Sequence, residues 1–334
     1  MDYTLLGARG PRVSVLGLGA MGMSGMYGPA DRAESIATVH AALDAGVTLL
    51  DTGDFYGMGH NELLVGEALR GRKREQAVIS VKFGALRDPK GAWSGYDARP
   101  AAVKNFLSYT LTRLGVEYID IYRPARLDPN VPIEETVGAI GEMIDAGFVR
   151  YVGLSEVGVE TIRRAAKVRP ICDLQIEYSL ISRGIEDEIL PTCRELGIDI
   201  TAYGVLSRGL ISGHWRKDAA GQGDFRAHAP RFQAKNVERN LALVDDLRRI
   251  ADAKGCSVAQ LAIAWVRAKG DDIVPVIGSR RRDQLAEALG ALDVRLDAGD
   301  LAAIERAVPK GAAAGERYAA AQMAMLDSER AVRA

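Results

Sequence analysis

The feature that most constrains the fold is an alternation of short β-rich apolar runs with helix-period segments from one end of the chain to the other. "VSVLGLG" (13–19) precedes "AESIATVHAALDAG", whose Ile36, Val39 and Leu43 share one helical face. "VTLL" (47–50) leads to a helix around 61–70, and "AVISV" (77–81) to one starting near Pro100. "YIDI" (118–121) precedes a helix opened by Pro132, "VRYVGL" (149–154) precedes "VETIRRAAKV", and "CDLQI" (172–176) precedes a stripe of Ile185, Ile189, Cys193 and Leu196. "IDITA" (198–202) is followed by a polar excursion and helices near 236–254 and 257–269; "IVPVI" (273–277) is followed by a helix from about Arg282. The strands are apolar on both faces, as buried parallel strands are. Eight such units in one chain predict a closed (β/α)8 TIM barrel, an α/β fold occupying residues 1–334 as a single domain.

The competing architecture is a doubly wound sheet. That fold places a Gly-rich phosphate loop between its first strand and a helix. "GLGAMG" matches GxGxxG in name only, because it runs into "MSGMYGPADRAES" and no helix starts on its third glycine. Residues 212–235 form the longest irregular segment, after the seventh strand, and such loops are uncommon unless functional. This segment and the C-terminal tail at 309–334 are the expected covers of the active face.

Composition removes several functions. With 43 Lys+Arg against 44 Asp+Glu there is no basic excess to neutralise a nucleic-acid backbone. No window approaches the roughly 18–20 apolar residues of a membrane span, and "MDYTLLGARG" lacks the pattern of a signal peptide, so a soluble cytoplasmic protein is expected. The three cysteines and four histidines are scattered without metal-ligand spacing, which argues against a metal site or a disulfide framework.

In a barrel, functional side chains sit at the C-terminal ends of strands. There "LLDTGDFYGMGHNE" places Asp51 at the end of the second strand and Tyr56 just beyond, and the third strand ends with Lys82. A tyrosine can act as general acid near neutrality if a lysine ammonium lowers its pKa and a buried aspartate holds that lysine. Such a phenol would protonate a carbonyl oxygen as hydride reaches the carbon. The plainer alternative is a structural Asp51–Lys82 ion pair with Tyr56 merely packed beside it.

The motifs "LGLGAMGMSGMYG", "LLDTGDFYGMGHNE", "VISVKFG", "DPNVPIEETVGAI", "VGLSE", "LQIEYSL", "YGVLSRGLISG" and "VIGSRRRDQLAEAL" together resemble the aldo-keto reductase family, in its branch of bacterial reductases and potassium-channel β-subunits. The resemblance spans nearly the whole chain and implies a barrel oxidoreductase using NADPH on a small-molecule carbonyl substrate. It implies that Asp51, Tyr56 and Lys82 are catalytic, and that Ser155 and Gln175 hold the nicotinamide carboxamide under a stacking Tyr203. Gly19 and Met21 would contact the ring; Leu206, Ser207 and Gly209 would pass over the pyrophosphate; Gly278, Ser279 and Arg280 would form the 2′-phosphate pocket, with Gln284 and Glu287 beside it. Arg280 to Arg282 could supply charge-assisted bonds to that phosphate; the plainer alternative for Arg281 and Arg282 is a solvated helix start.

The chain departs from the family pattern D-L-Y-x-x-H-R-x-D-P at two positions, conservatively at Ile121 and with a loss of chemistry at Ala125. Its "DIYRPARLDP" carries Ala125 where the histidine stands. Losing such a donor to the developing alkoxide costs about 3 kcal/mol, roughly a hundredfold in rate, unless an ordered water in the vacated space bridges the substrate oxygen to a nearby backbone group or Arg side chain. The vacated volume could admit bulky cyclic ketones of terpenoid, steroid-like or keto-sugar type beside Tyr56. The alternatives are an NADPH-binding redox-sensing module with negligible catalysis, and a small-aldehyde or pyridoxal reductase. Tyr27, Phe55, Phe83 and Ala125 are the expected substrate-pocket residues, with Met21, Met23 and Trp93 as further wall candidates. Trp215 and Lys217 are candidates for closing over the cofactor.

Overall fold

A computed structural model describes residues 1–215 and 224–330. Eight parallel strands close into a barrel in chain order: β1 (Gly17–Gly19), β2 (Leu49–Gly53), β3 (Val78–Phe83), β4 (Ile119–Pro124), β5 (Val149–Ser155), β6 (Ile171–Glu177), β7 (Asp199–Tyr203) and β8 (Ile273–Gly278). The closing pair is β8 with β1, where Gly278 faces Gly19. The expected (β/α)8 barrel is therefore the fold. No helix among the described residues is long and apolar enough to cross a membrane.

The surrounding helices are α1 (Arg32–Asp44), α2 (His60–Leu69), α3 (Pro100–Leu114), α4 (Ile133–Asp145), α5 (Val159–Val168), α6 (Ile189–Leu196), α7 (Ala234–Lys254), α8 (Val258–Arg267), α9 (Arg282–Gly290) and α10 (Ala298–Ala307). Their ends follow local chemistry. Asp31 caps α1 by accepting from the Glu34 amide, and Ser257 with Gln260 forms a reciprocal capping box on α8. Gly255 stops α7 in a left-handed conformation with φ 68°, which a β-carbon would strain.

One strand differs from its sequence reading. Residues 13–19 are not continuous: Arg12–Ser14 pairs antiparallel with Tyr3–Leu5, and only Gly17–Gly19 enters the barrel. Ser14 turns the chain there, its Oγ donating to the Leu16 carbonyl at 2.7 Å while its amide donates to Thr48 Oγ1 at 2.9 Å. The hairpin seals the barrel floor, where Leu6 and Val13 join Leu49, Ile121, Cys172, Val274 and Val276 in one apolar cluster. A second hairpin absent from the sequence reading, Ala85–Arg87 with Trp93–Tyr96, rises beside the opposite mouth.

Beyond α10 the tail is ordered into a strap over that mouth, with a short helix α11 (Ala320–Met323). Part of the expected covering loop, including Lys217, lies outside the described residues. Its flanks are packed: Trp215 meets Phe232 edge-on at 5.4 Å.

Candidate active site

Register brings the polar residues together. Gly19 pairs with Asp51, Asp51 with Ser80, and Ser155 with Gln175 across neighbouring strands. Alternation along β3 then sends Ser80 and Lys82 to the same inner face. Asp51 accepts from Lys82 Nζ at 2.6 Å, from Gln175 Nε2 at 2.7 Å and from Ser80 Oγ at 3.0 Å. Ser80 is itself a hydrogen-bond acceptor for Arg123 Nη2 at 3.0 Å, and Arg123 also donates to Asp173 Oδ2 at 2.8 Å in a fully buried pair. Room for that guanidinium comes from Gly153, where a β-carbon would stand 3.0 Å from Arg123 Cζ.

Tyr56 lies against this network, with the Lys82 ammonium 5.0 Å from its ring centroid and Phe55 edge-on at 4.8 Å. The expectation of a depressed phenol pKa is not met. Burial, then the charge of Asp51, pushes Tyr56 well above 10, and the Arg126 cation opposes them only in part. Burial also draws Lys82 below its ordinary value despite Asp51 beside it. The cause is dehydration of both groups, which disfavours the phenolate more than nearby cations favour it. Tyr56 is consequently a neutral O–H donor throughout the physiological range.

These side chains line one continuous cavity of about 960 Å³. Its wall includes Gly19, Met21, Asp51, Tyr56, Lys82, Ser155, Gln175, Tyr203, Leu206, Gly209, Gly278, Ser279, Arg280, Gln284 and Glu287, with Tyr27, Phe55, Trp93, Ala125 and Trp215. Three assignments require correction. Phe83 lies outside the wall: alternation turns it outward, where it stacks on Tyr122 at 4.2 Å. Met23 is packed in the helix-barrel core, 2% exposed. Ser207 is fully buried behind the loop rather than on the cavity surface.

The residues fit a nicotinamide dinucleotide. Ser155 and Ser279 are buried in the wall with hydroxyls that have no partner within the described residues, as two donors awaiting a polar ligand would be. Ser207 and Arg208 adopt positive φ (45° and 58°) directly before Gly209 (93°), a strained turn at the cavity rim. At the far end Arg280 donates from Nη1 to the carbonyls of Tyr27, Gly28 and Pro29, at 2.9, 3.3 and 3.1 Å, and meets no carboxylate among the described residues. Arg281 and Arg282 instead pair with Asp283 and Glu34 on the surface. Gln284 accepts from the Arg280 amide, and Glu287 faces His214.

Sequence reasoning missed a cluster around the vacant histidine position. The Ala125 methyl forms part of the wall, its amide held by the Phe83 carbonyl at 2.8 Å, and Arg126 lies next along the same wall. From the tail, Tyr318 reaches Tyr203, the two hydroxyls 2.9 Å apart, and Gln322, Met325 and Leu326 complete the roof. Tyr203 also meets Glu156 Oε1 at 2.7 Å, and Glu156 forms a buried ion pair with Arg317 at 2.6 Å.

A barrel carrying a buried tyrosine, lysine and aspartate in the wall of a cleft of about 960 Å³, with two buried serines unpartnered among the described residues and an arginine in the same wall, fits a class of hydride-transfer oxidoreductase. The description "Aldo/keto reductase family" matches residues 15–309, and the chain belongs to that family. It is 42% identical over 319 residues to the Glycine max protein named "Probable aldo-keto reductase 1", covering 94% of this chain and 90% of that protein. Among solved structures it resembles the glycerol dehydrogenase AKR11B4 from Gluconobacter oxydans, at 30% identity and TM-score 0.82, covering 91% of this chain and 94% of that one. It also resembles the thermostable aldo-keto reductase Tm1743 in complex with the inhibitor epalrestat, at 27% identity and TM-score 0.74, covering 92% and 100% of the two chains. The protein is thus an NAD(P)-dependent oxidoreductase acting on carbonyl and alcohol groups.

Proposed function

We propose that the protein is an NADPH-dependent carbonyl reductase in which Tyr56 is the general acid. The observation that carries this reading is the shared wall: Tyr56, Lys82 and Asp51 face the same cleft as Ser155, Gln175 and Arg280. Ser155 and Gln175 would hold the carboxamide, Tyr203 would face the ring, and Arg280 would meet the adenosine 2′-phosphate. When bound, the dihydronicotinamide supplies the hydride. Tyr56 delivers a proton from Oη to the carbonyl oxygen, so that one hydride and one proton convert the carbonyl to an alcohol. Lys82, kept in place by Asp51, stabilises the negative charge left on the phenol oxygen until a solvent proton replaces the one donated.

The substrate class favoured by the wall is a bulky cyclic ketone. A methyl group at position 125 leaves open the volume an imidazole would fill, and Tyr27, Phe55, Trp93 and Tyr96 add broad aromatic faces to the same cavity wall. Following NADPH oxidation against bulky cyclic ketones, small aldehydes and quinones tests the whole reading. Turnover fastest on the cyclic ketones and lost in Tyr56→Phe is expected. Tight NADPH binding without reduction of any substrate would instead indicate a cofactor-sensing protein.

A further inference from the structure

The wall beside Tyr56 contains a cation for which the reaction as described has no use. Arg126 follows Ala125 and lines the cavity. Its guanidinium has two hydrogen-bond partners within the described residues, both uncharged: Nη1 donates to the Ala125 carbonyl at 2.6 Å, and Nη2 to the Tyr318 hydroxyl at 3.4 Å. None of the described carboxylates forms an ion pair with it. The other cations near the cavity are differently placed: Lys82 is paired with Asp51, Arg208 with Glu177, Arg226 with Asp224 and Arg317 with Glu156, while Arg280, also without a described carboxylate, is held at the far end by the carbonyls of residues 27–29.

Surrounding groups hold Arg126 in its charged form. Burial works against the charge, but Tyr203, Tyr318, Glu156 and Tyr96 outweigh it. Glu156 acts from a distance, since its own oxygens are taken by Arg317, Tyr203, Ser328 and the Glu177 amide. Arg126 in turn bears on both catalytic groups, opposing the upward push on Tyr56 and adding to the downward pull on Lys82. Arg126 is half-buried and has no direct counter-ion among the described residues; partial desolvation of such a cation is costly, and an anion entering the cavity relieves that cost. Planar, forked donors suit a carboxylate.

We infer that Arg126, oriented by the Ala125 carbonyl and by Tyr318 from the tail, binds a carboxylate of the substrate, so that the preferred ketone is an oxo acid. This rests on the reductase reading and narrows its substrate class. Arg126 is then a binding residue that touches substrate, and Tyr318 is a positioning residue acting through it.

The experiment compares 4-oxocyclohexane-1-carboxylate with its carboxamide, a probe of nearly the same shape without the charge. In the full-length protein, kcat/KM for the carboxylate should exceed that for the carboxamide at least tenfold, mainly through KM. Arg126→Met should bring the ratio close to one, and Arg126→Lys should keep part of the preference. Tyr318→Phe, which retains the ring, should lower the ratio severalfold and serves if Arg126→Met does not fold. A ratio near one in the unaltered protein, or one unmoved by these substitutions, overturns the proposal. Calorimetric titration of both probes into protein with NADP⁺ present separates the two hypotheses. If neither probe is reduced, the reductase reading fails, while a carboxylate preference in binding that is lost in Arg126→Met still upholds the role of Arg126, and equal binding overturns it.

Discussion

Lys82 donates from Nζ to Asp51 Oδ2 at 2.6 Å, with 4% and 7% of the two side chains exposed. The Lys82 ammonium lies 5.0 Å from the centre of the Tyr56 ring, so a cation is fixed beside the phenol before any proton moves. Replacing Tyr56 by Phe keeps that pair and removes only the donor. Reduction should fall by about a hundredfold to ten-thousandfold while NADPH fluorescence on binding is retained. Because burial holds the phenol well above 10, its ionisation should not impose an alkaline fall on kcat/KM between pH 7 and 9.

Arg280 bears on cofactor choice. Its guanidinium is held by the three carbonyls of residues 27–29 and meets no described carboxylate, and in the proposed reading its charge meets the cofactor's 2′-phosphate. Arg280→Ala should weaken NADPH by about ten- to a hundredfold, the loss of a charge-assisted hydrogen bond, and leave NADH nearly unaffected. Parallel titrations with the two cofactors measure the ratio.

Asp54 gives a pH dependence of stability. Burial pushes its carboxyl from 3.8 to about 7, and Oδ1 has no partner among the described residues while Oδ2 accepts from the Gly84 amide. Between those pH values the folded chain holds a proton that the unfolded chain has released. Its contribution is therefore complete below about pH 3.8 and is lost as pH rises through 7. Asp54→Asn should stabilise the protein above pH 7, by about 4 kcal/mol at most, with the difference vanishing toward pH 4. Urea unfolding of both proteins at several pH values tests the sign.

Glu156 anchors the tail. It has φ 54°, is fully buried, and accepts from Arg317, Tyr203 and Ser328. Burial alone would raise its pKa, but Arg317, then Arg126 and Tyr203, holds the carboxyl well below the usual range. Glu156→Gln removes the buried carboxylate from Arg317 and leaves that cation Glu329 at 2.7 Å and Glu177 at 3.6 Å, so stability should fall by about 1–3 kcal/mol. Limited proteolysis should then cut first within residues 309–330.

Much of this architecture was legible in the sequence because it obeys two short periods. Asp51, Tyr56 and Lys82 could be placed at one mouth from strand order alone. The misplacement of Phe83 was also avoidable: with Lys82 turned inward, alternation sends its neighbour outward to Tyr122. The hairpin formed by Trp93–Tyr96 carries no strong alternation, so Tyr96 was not recognised as a wall residue. Arg126 and Tyr318 were hidden for another reason. A lone arginine after a strand reads as solvated until something roofs it, and the roof comes from 192 positions away.

That separation orders the life of the molecule. All eight strands precede Tyr318 in the chain, and β8 ends at Gly278. During synthesis the barrel's strands therefore emerge before residues 318–326, which finish the wall of the cleft. A nascent chain can close its barrel while its cleft still lacks a roof. Selectivity for what enters is acquired only as the strap lies down, so this protein becomes a fold before it becomes a discriminating catalyst.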